Sequence, residues 1–143
     1  MEYQHGGDVY SHSVEMDYSA NINPLGLPRG VRAALREAVE GPACCIYPDS
    51  SCRALTAELA AFHGLLPEWI ICGNGAADLI FSLAFALRPR RGLVTAPTFG
   101  EYRQALEAAG CQVDGLFLEQ EGLTLSRQAL AERLHQAGRE GRP

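Results

Sequence analysis

Residues 70–85, "IICGNGAADLIFSLAF", limit most tightly what this chain can fold into. A short β-branched apolar run ends at Gly73-Asn74-Gly75, two alanines and an acid follow, and a second apolar run begins at once. The first run reads as a strand. The second, residues 76–87, is long enough for a helix, which Pro89 stops. A strand that passes through a glycine turn straight into a helix belongs to a layered α/β protein.

Such a turn leaves the first backbone N–H groups of the helix without intrahelical partners, at the positive end of the helix dipole. An anion placed there gains about 0.3–1 kcal/mol from the dipole, besides the hydrogen bonds themselves. Ala76 and Ala77 are small enough to let a phosphate come close to the backbone. The two common nucleotide patterns fail: the dinucleotide fingerprint lacks its third Gly, and no Lys-Ser/Thr follows for a P-loop. A tight turn that needs glycine and holds nothing fits the same residues, so the local pattern leaves both readings open.

The rest of the chain alternates in the same manner. Residues 1–22 read as an extended or irregular arm, and "NINPLGLPRG" (21–30) as a turn-rich segment. Pro28 opens a helix with apolar residues at helical spacing, closed by Gly41-Pro42. A proline-containing loop leads to a second helix, capped by Asp49, Ser50 or Ser51 and ended by Gly64. "WIICG" predicts a strand, "RGLVTAP" a buried strand, "TFGEYRQALEAAG" a helix to Gly110, "CQVDGLFLEQ" a strand, and "SRQALAERLHQAG" a helix with Ser126 as N-cap. Together these predict a parallel sheet layered with helices. Residues 1–45 form the arm and first helix of this scheme, and residues 46–143 the main body.

Composition narrows the function classes. Net charge is −5 with no basic run interleaved with aromatics, which argues against nucleic acid. No apolar stretch approaches the roughly 20 residues that cross a bilayer, and the polar N-terminus lacks a signal-peptide pattern, so a cytoplasmic protein is expected. The five cysteines contain no CxxC pair and the four histidines stand away from them, which predicts reduced thiols and no metal site. All twelve basic residues are Arg. A chain without lysine supplies no lysine nucleophile.

Four further stretches, read in order with the glycine turn, add a resemblance. "HGGDVY" (5–10), "DYSANINPLGLP" (17–28), "YPD" (47–49), "CGNGAADLI" (72–80) and "APTFGEYRQALEAAG" (96–110) resemble the start of the fold-type I pyridoxal-phosphate enzymes. Within that group they look most like the L-threonine-O-3-phosphate decarboxylases of cobalamin synthesis and the related histidinol-phosphate aminotransferases. "SANINPLG" preceded by "HGG" is similar to the decarboxylases, since the aminotransferases more usually carry Asn-Glu-Asn-Pro there. The resemblance implies the first part of a three-layer αβα large domain with an N-terminal arm.

It also implies roles. Gly75, Ala76 and Ala77 match the backbone cradle for the 5′-phosphate of pyridoxal 5′-phosphate, in agreement with the anion argument. Phe99 matches the aromatic that stacks on the pyridine ring. Tyr47 matches a tyrosine that reaches across a homodimer to the partner's cofactor phosphate. Asn23 matches a substrate-side amide, although Asn before Pro24 also commonly fixes its own turn. His5 matches a residue holding the phosphate of a small phosphorylated amino-acid substrate. Asp78 falls in the first turn of its helix, where a carboxylate is favourable, and takes no catalytic role.

In the resembled family the cofactor-anchoring lysine and several arginines follow an "NNPTG"-type segment, which this sequence does not contain. The expectation is therefore an N-terminal fragment of a decarboxylase, inactive by itself. The alternatives are a fragment of a histidinol-phosphate-type aminotransferase, or a noncatalytic binding module.

Overall fold

Proline and glycine set most element boundaries in the structure, a computed structural model that describes residues 6–11, 13–119 and 121–140. The described residues contain five α-helices and two strands, α1 (Arg29–Glu40), α2 (Arg53–His63), α3 (Gly75–Leu87), β1 (Arg91–Ala96), α4 (Gly100–Ala108), β2 (Gln112–Phe117) and α5 (Arg127–Glu140). They fall into two compact units, Met1–Cys72 and Gly73–Pro143.

In the first unit, Pro28 stands immediately before α1 and its carbonyl accepts the Arg32 N–H at 3.0 Å. Gly41 ends the helix, its N–H returning to the Glu37 carbonyl at 2.9 Å. Val31, Leu35 and Val39 all remain exposed along α1, and none of its residues is buried. Asp49 caps α2 from outside it: one carboxylate oxygen accepts the Arg53 N–H at 2.9 Å and the other accepts the Ser51 N–H at 3.1 Å. Gly64, at φ 65°, closes α2 in a Schellman arrangement, with Leu65 N–H donating to the Ala60 carbonyl at 2.9 Å.

The strand expected at "WIICG" does not form. Pro67–Trp69 is a short 3-10 helix, and residues 70–72 pair with no other strand among the described residues. Ile70 has extended dihedrals (φ −118°, ψ 129°). The β-branched residues thus produce the backbone shape, but a ladder also needs a neighbour.

In the second unit, β1 and β2 run parallel in a two-stranded sheet, with Gly92 opposite Val113 and Leu93 opposite Asp114. α4 joins them as a βαβ crossover. It packs on the face carrying Gly92 and Gly115. A Cβ on Gly92 would stand 2.9 Å from Leu106 Cδ1, and one on Gly115 would stand 3.4 Å from Arg103 Nη2. Arg133 and Leu134 of α5 line a small cavity with Arg91, Leu93 and Asp114 of the other face. Helices on both faces of a parallel sheet give three αβα layers. β1, expected to be buried, is half-buried throughout, with one flanking strand among the described residues.

Candidate functional site

The glycine turn takes the form its sequence suggests. Gly75 has φ +85°, a conformation that L side chains rarely adopt, and nothing lies within 4 Å of where its Cβ would be. Its own N–H turns back to the Gly73 carbonyl at 2.9 Å. Gly73 is glycine for a different reason: a Cβ there would stand 2.7 Å from Leu79 Cδ2 and 2.9 Å from Asp78 Oδ2. Beyond the turn α3 begins at Gly75, one residue earlier than expected. The N–H groups of Ala76 and Ala77 meet no acceptor among the described residues. Two adjacent, accessible amides at a helix start suit a phosphate oxygen.

Asp78 has a use that its sequence position did not disclose. Its Oδ2 accepts the backbone N–H of Asn74 at 2.8 Å. The carboxylate is thereby folded back onto the turn, toward Gly73. The spacing of Asn74 at the cap and an acid in the next turn, a relative of the capping box, is the signal that could have found it.

Phe99 occupies the N-cap position of α4, just past the C-terminal end of β1. α3 returns to β1 over three residues, 88–90, so its N-terminus lies toward that same end of the strand. The cradle amides and Phe99 therefore share one end of the layer. Phe99 is 47% exposed, and its ring stands edge-to-face with Tyr102 at 5.9 Å.

Tyr47 and Asn23 belong to the first unit. Tyr47 is 94% exposed. Asn23 fixes its own turn: its Oδ1 accepts the Leu25 N–H at 3.0 Å and its Nδ2 donates to the Gly26 carbonyl at 2.8 Å. That leaves one amide N–H of Asn23 for another acceptor. His5 lies outside the described residues. Gly6-Gly7 nevertheless meets the "DYSAN" stretch, since Gly7 N–H donates to Ser19 Oγ at 2.7 Å, and a Cβ on Gly6 would run into the Ser19 carbonyl oxygen. Asp17 receives the Ser19 hydroxyl and amide, which hold its carboxyl below the ordinary carboxylate range.

Among the described residues no helix is long and apolar enough to cross a membrane, and no three His, Cys, Asp or Glu group as metal ligands would. The arrangement offers helix-start amides that suit an anion and, at the start of α4, a half-exposed aromatic ring.

Comparison with known proteins adds four findings. The pattern of the family described as aminotransferase class I and II matches residues 13–141. The threonine-phosphate decarboxylase of Salmonella typhimurium is 39% identical over 119 residues, 76% of this chain and 32% of that protein. Histidinol-phosphate aminotransferase 2 of Ralstonia nicotianae is 36% identical over 96 residues, 66% of this chain and 25% of that protein. The solved L-threonine-O-3-phosphate decarboxylase of Porphyromonas gingivalis superposes with a TM-score of 0.55 at 20% identity, covering 73% of this chain and 39% of that one. The chain thus spans about a third of the first of these relatives.

Proposed function

The chain belongs to the class I and II aminotransferase family, and on that premise we propose that its second unit carries a phosphate cradle for pyridoxal 5′-phosphate. The observation that carries the reading is the pair of amides at Ala76 and Ala77, unpartnered among the described residues and opened by the positive φ of Gly75. Open space at Gly75 and neutral donors at a helix start suit a phosphate dianion. Phe99 offers a ring face to the cofactor from the same end of the layer. When bound, the cofactor supplies an electron-withdrawing ring that stabilises negative charge left on the substrate's α-carbon.

The longer protein to which such a chain would contribute is, on this reading, a decarboxylase of L-threonine O-3-phosphate in cobalamin biosynthesis, cytoplasmic and homodimeric. Tyr47 would reach the partner's cofactor phosphate, and the remaining Asn23 N–H and His5 would face the substrate. Residues 1–45 would serve as arm and first helix, and residues 46–143 as the first part of the large domain. With no lysine, the 143-residue chain holds the cofactor only noncovalently and is expected to turn nothing over. The likeness to histidinol-phosphate aminotransferases keeps amino-group transfer as the second reading. A noncatalytic binding module is the third.

Titration of the chain with pyridoxal 5′-phosphate and with pyridoxal tests the cradle. Tighter binding of the phosphorylated form supports it, and equal affinity removes it. For the chemistry, a longer protein containing this chain would be given threonine phosphate. Release of CO₂ without a keto-acid acceptor supports decarboxylation, whereas acceptor-dependent turnover of histidinol phosphate replaces it with transamination.

A further inference from the structure

A phenyl ring earns orientation from its neighbours, because the torsion that turns its plane has broad minima. Phe99 sits in extended backbone (φ −64°, ψ 127°) immediately before α4 and is half exposed, so its own backbone does little to hold that plane. Tyr102 is exposed to a similar degree but has helical backbone and groove neighbours. It lies in the first turn of α4, where its N–H donates to the Phe99 carbonyl at 3.3 Å. Its side chain lines an apolar groove of about 420 Å³ together with Ile80, Leu83, Thr98, Ala105 and Leu106. Tyr102, itself 43% exposed, meets Phe99 with ring centroids 5.9 Å apart and planes at 80°. That is the edge-to-face arrangement favoured by the ring quadrupoles.

We infer that Tyr102 is a positioning residue for Phe99: it sets the plane in which the Phe99 ring meets a flat, aromatic ligand beside the cradle. The inference rests on the cofactor reading for the identity of that ligand. An edge-to-face pair of ordinary strength biases one ring orientation by about two- to tenfold. The phosphate subsite is separate, so loss of Tyr102 should weaken ring recognition and leave the preference for a phosphorylated ligand intact.

The test uses the full chain, with pyridoxal 5′-phosphate and pyridoxal as probes. Affinity and the induced circular dichroism of the bound chromophore are read for the wild type, Tyr102→Phe, Tyr102→Leu, Phe99→Leu and the Phe99→Leu/Tyr102→Leu pair. Tyr102→Phe keeps an aromatic edge and should match the wild type. Tyr102→Leu keeps the groove filled, yet should lower affinity by about two- to tenfold and diminish the dichroism. In the Phe99→Leu background the same change should have no further effect, as coupling through Phe99 requires. A Tyr102→Leu variant equal to wild type, or an equal loss without Phe99, overturns the inference. Relaxation of the isotope-labelled Phe99 ring in the ligand-free chain gives a second readout, in which Tyr102→Leu should free the ring. If the wild type binds neither probe, the cofactor reading fails and the ligand role of Tyr102 goes with it. If the phosphorylated probe is preferred but the ring does not loosen in Tyr102→Leu, the positioning role alone fails.

Discussion

Asp78 Oδ2 accepts the backbone N–H of Asn74 at 2.8 Å, so the one carboxylate in the first turn of α3 is spent on the turn beneath it. An acid at a helix start would otherwise compete with any anion for the same donors. Asp78→Ala should cost about 1 kcal/mol of stability, the size of a lost cap, while Asp78→Asn keeps an acceptor and should lose less. Chemical denaturation of the three proteins measures it. Equal stability would mean that the bond contributes nothing.

The two glycines of the turn should fail for different reasons. In Gly73→Ala the new methyl meets Leu79 and Asp78, an overpacking that costs about 1–3 kcal/mol. Gly75→Ala meets no atom and is penalised through its positive φ alone, by about 1–2 kcal/mol. Leu79→Ala should therefore absorb part of the first penalty and none of the second. Strict additivity in both double variants would refute the steric account of Gly73.

Ala76→Asp or Ala77→Asp sets a carboxylate against the proposed phosphate position. Like charges a few ångströms apart near a surface repel by roughly 1–4 kcal/mol, so affinity for pyridoxal 5′-phosphate should fall by about tenfold or more. Pyridoxal, without the phosphate, should be affected far less. Unchanged affinity for the phosphorylated form would place the anion elsewhere.

At the arm, no Cβ fits between Gly6 and the carbonyl of Ser19. Gly6→Ala should detach residues 6–11 from residues 17–20 and break the Gly7–Ser19 bond. Hydrogen exchange at the Gly7 amide would report the loss as faster exchange. Protection equal to wild type would show that the arm is not held this way.

Arg91 and Asp114, on β1 and β2, pair at 2.7 Å, and the hydrogen bond from the Arg91 guanidinium is the main reason the Asp114 carboxyl titrates below its ordinary 3.8. The sign follows from linkage: the folded state favours the ionised form. The stabilisation is therefore complete above the unfolded value and is lost as pH falls through the folded one. Thermal melts taken from about pH 6 down to pH 2 should show a steeper acid decline in the wild type than in Asp114→Asn. Parallel declines would remove Asp114 from the account.

How much of this could be read from the residues alone depends on how local each signal is. Pro28, Gly64, Gly110 and Ser126 mark helix ends through bonds spanning a few residues, and each stands at or beside such an end in the structure. Ser126 Oγ accepts the Ala129 N–H at 3.3 Å. The alternation of β1, α4 and β2 was legible for the same reason. "WIICG" misled because pairing is not local: β-branched residues favour an extended chain, but another strand must complete it. At the candidate site, the glycine turn and small alanines were legible. Asp78 was placed in the right turn, but its bond to Asn74 depends on how the turn folds back. Asn23 divides the two cases: its self-closing turn, the alternative to a substrate-side amide, is local to its own segment, while any outward contact depends on groups beyond it.

The two-stranded sheet carries a practical corollary. Each strand has one neighbour among the described residues, so its outer side offers a row of backbone donors and acceptors to any extended peptide it meets. Concentration, more than heat, should then decide how long a solution of this chain stays clear. Light scattering that rises steeply with protein concentration at constant temperature would register it, and a flat response would show those rows to be shielded.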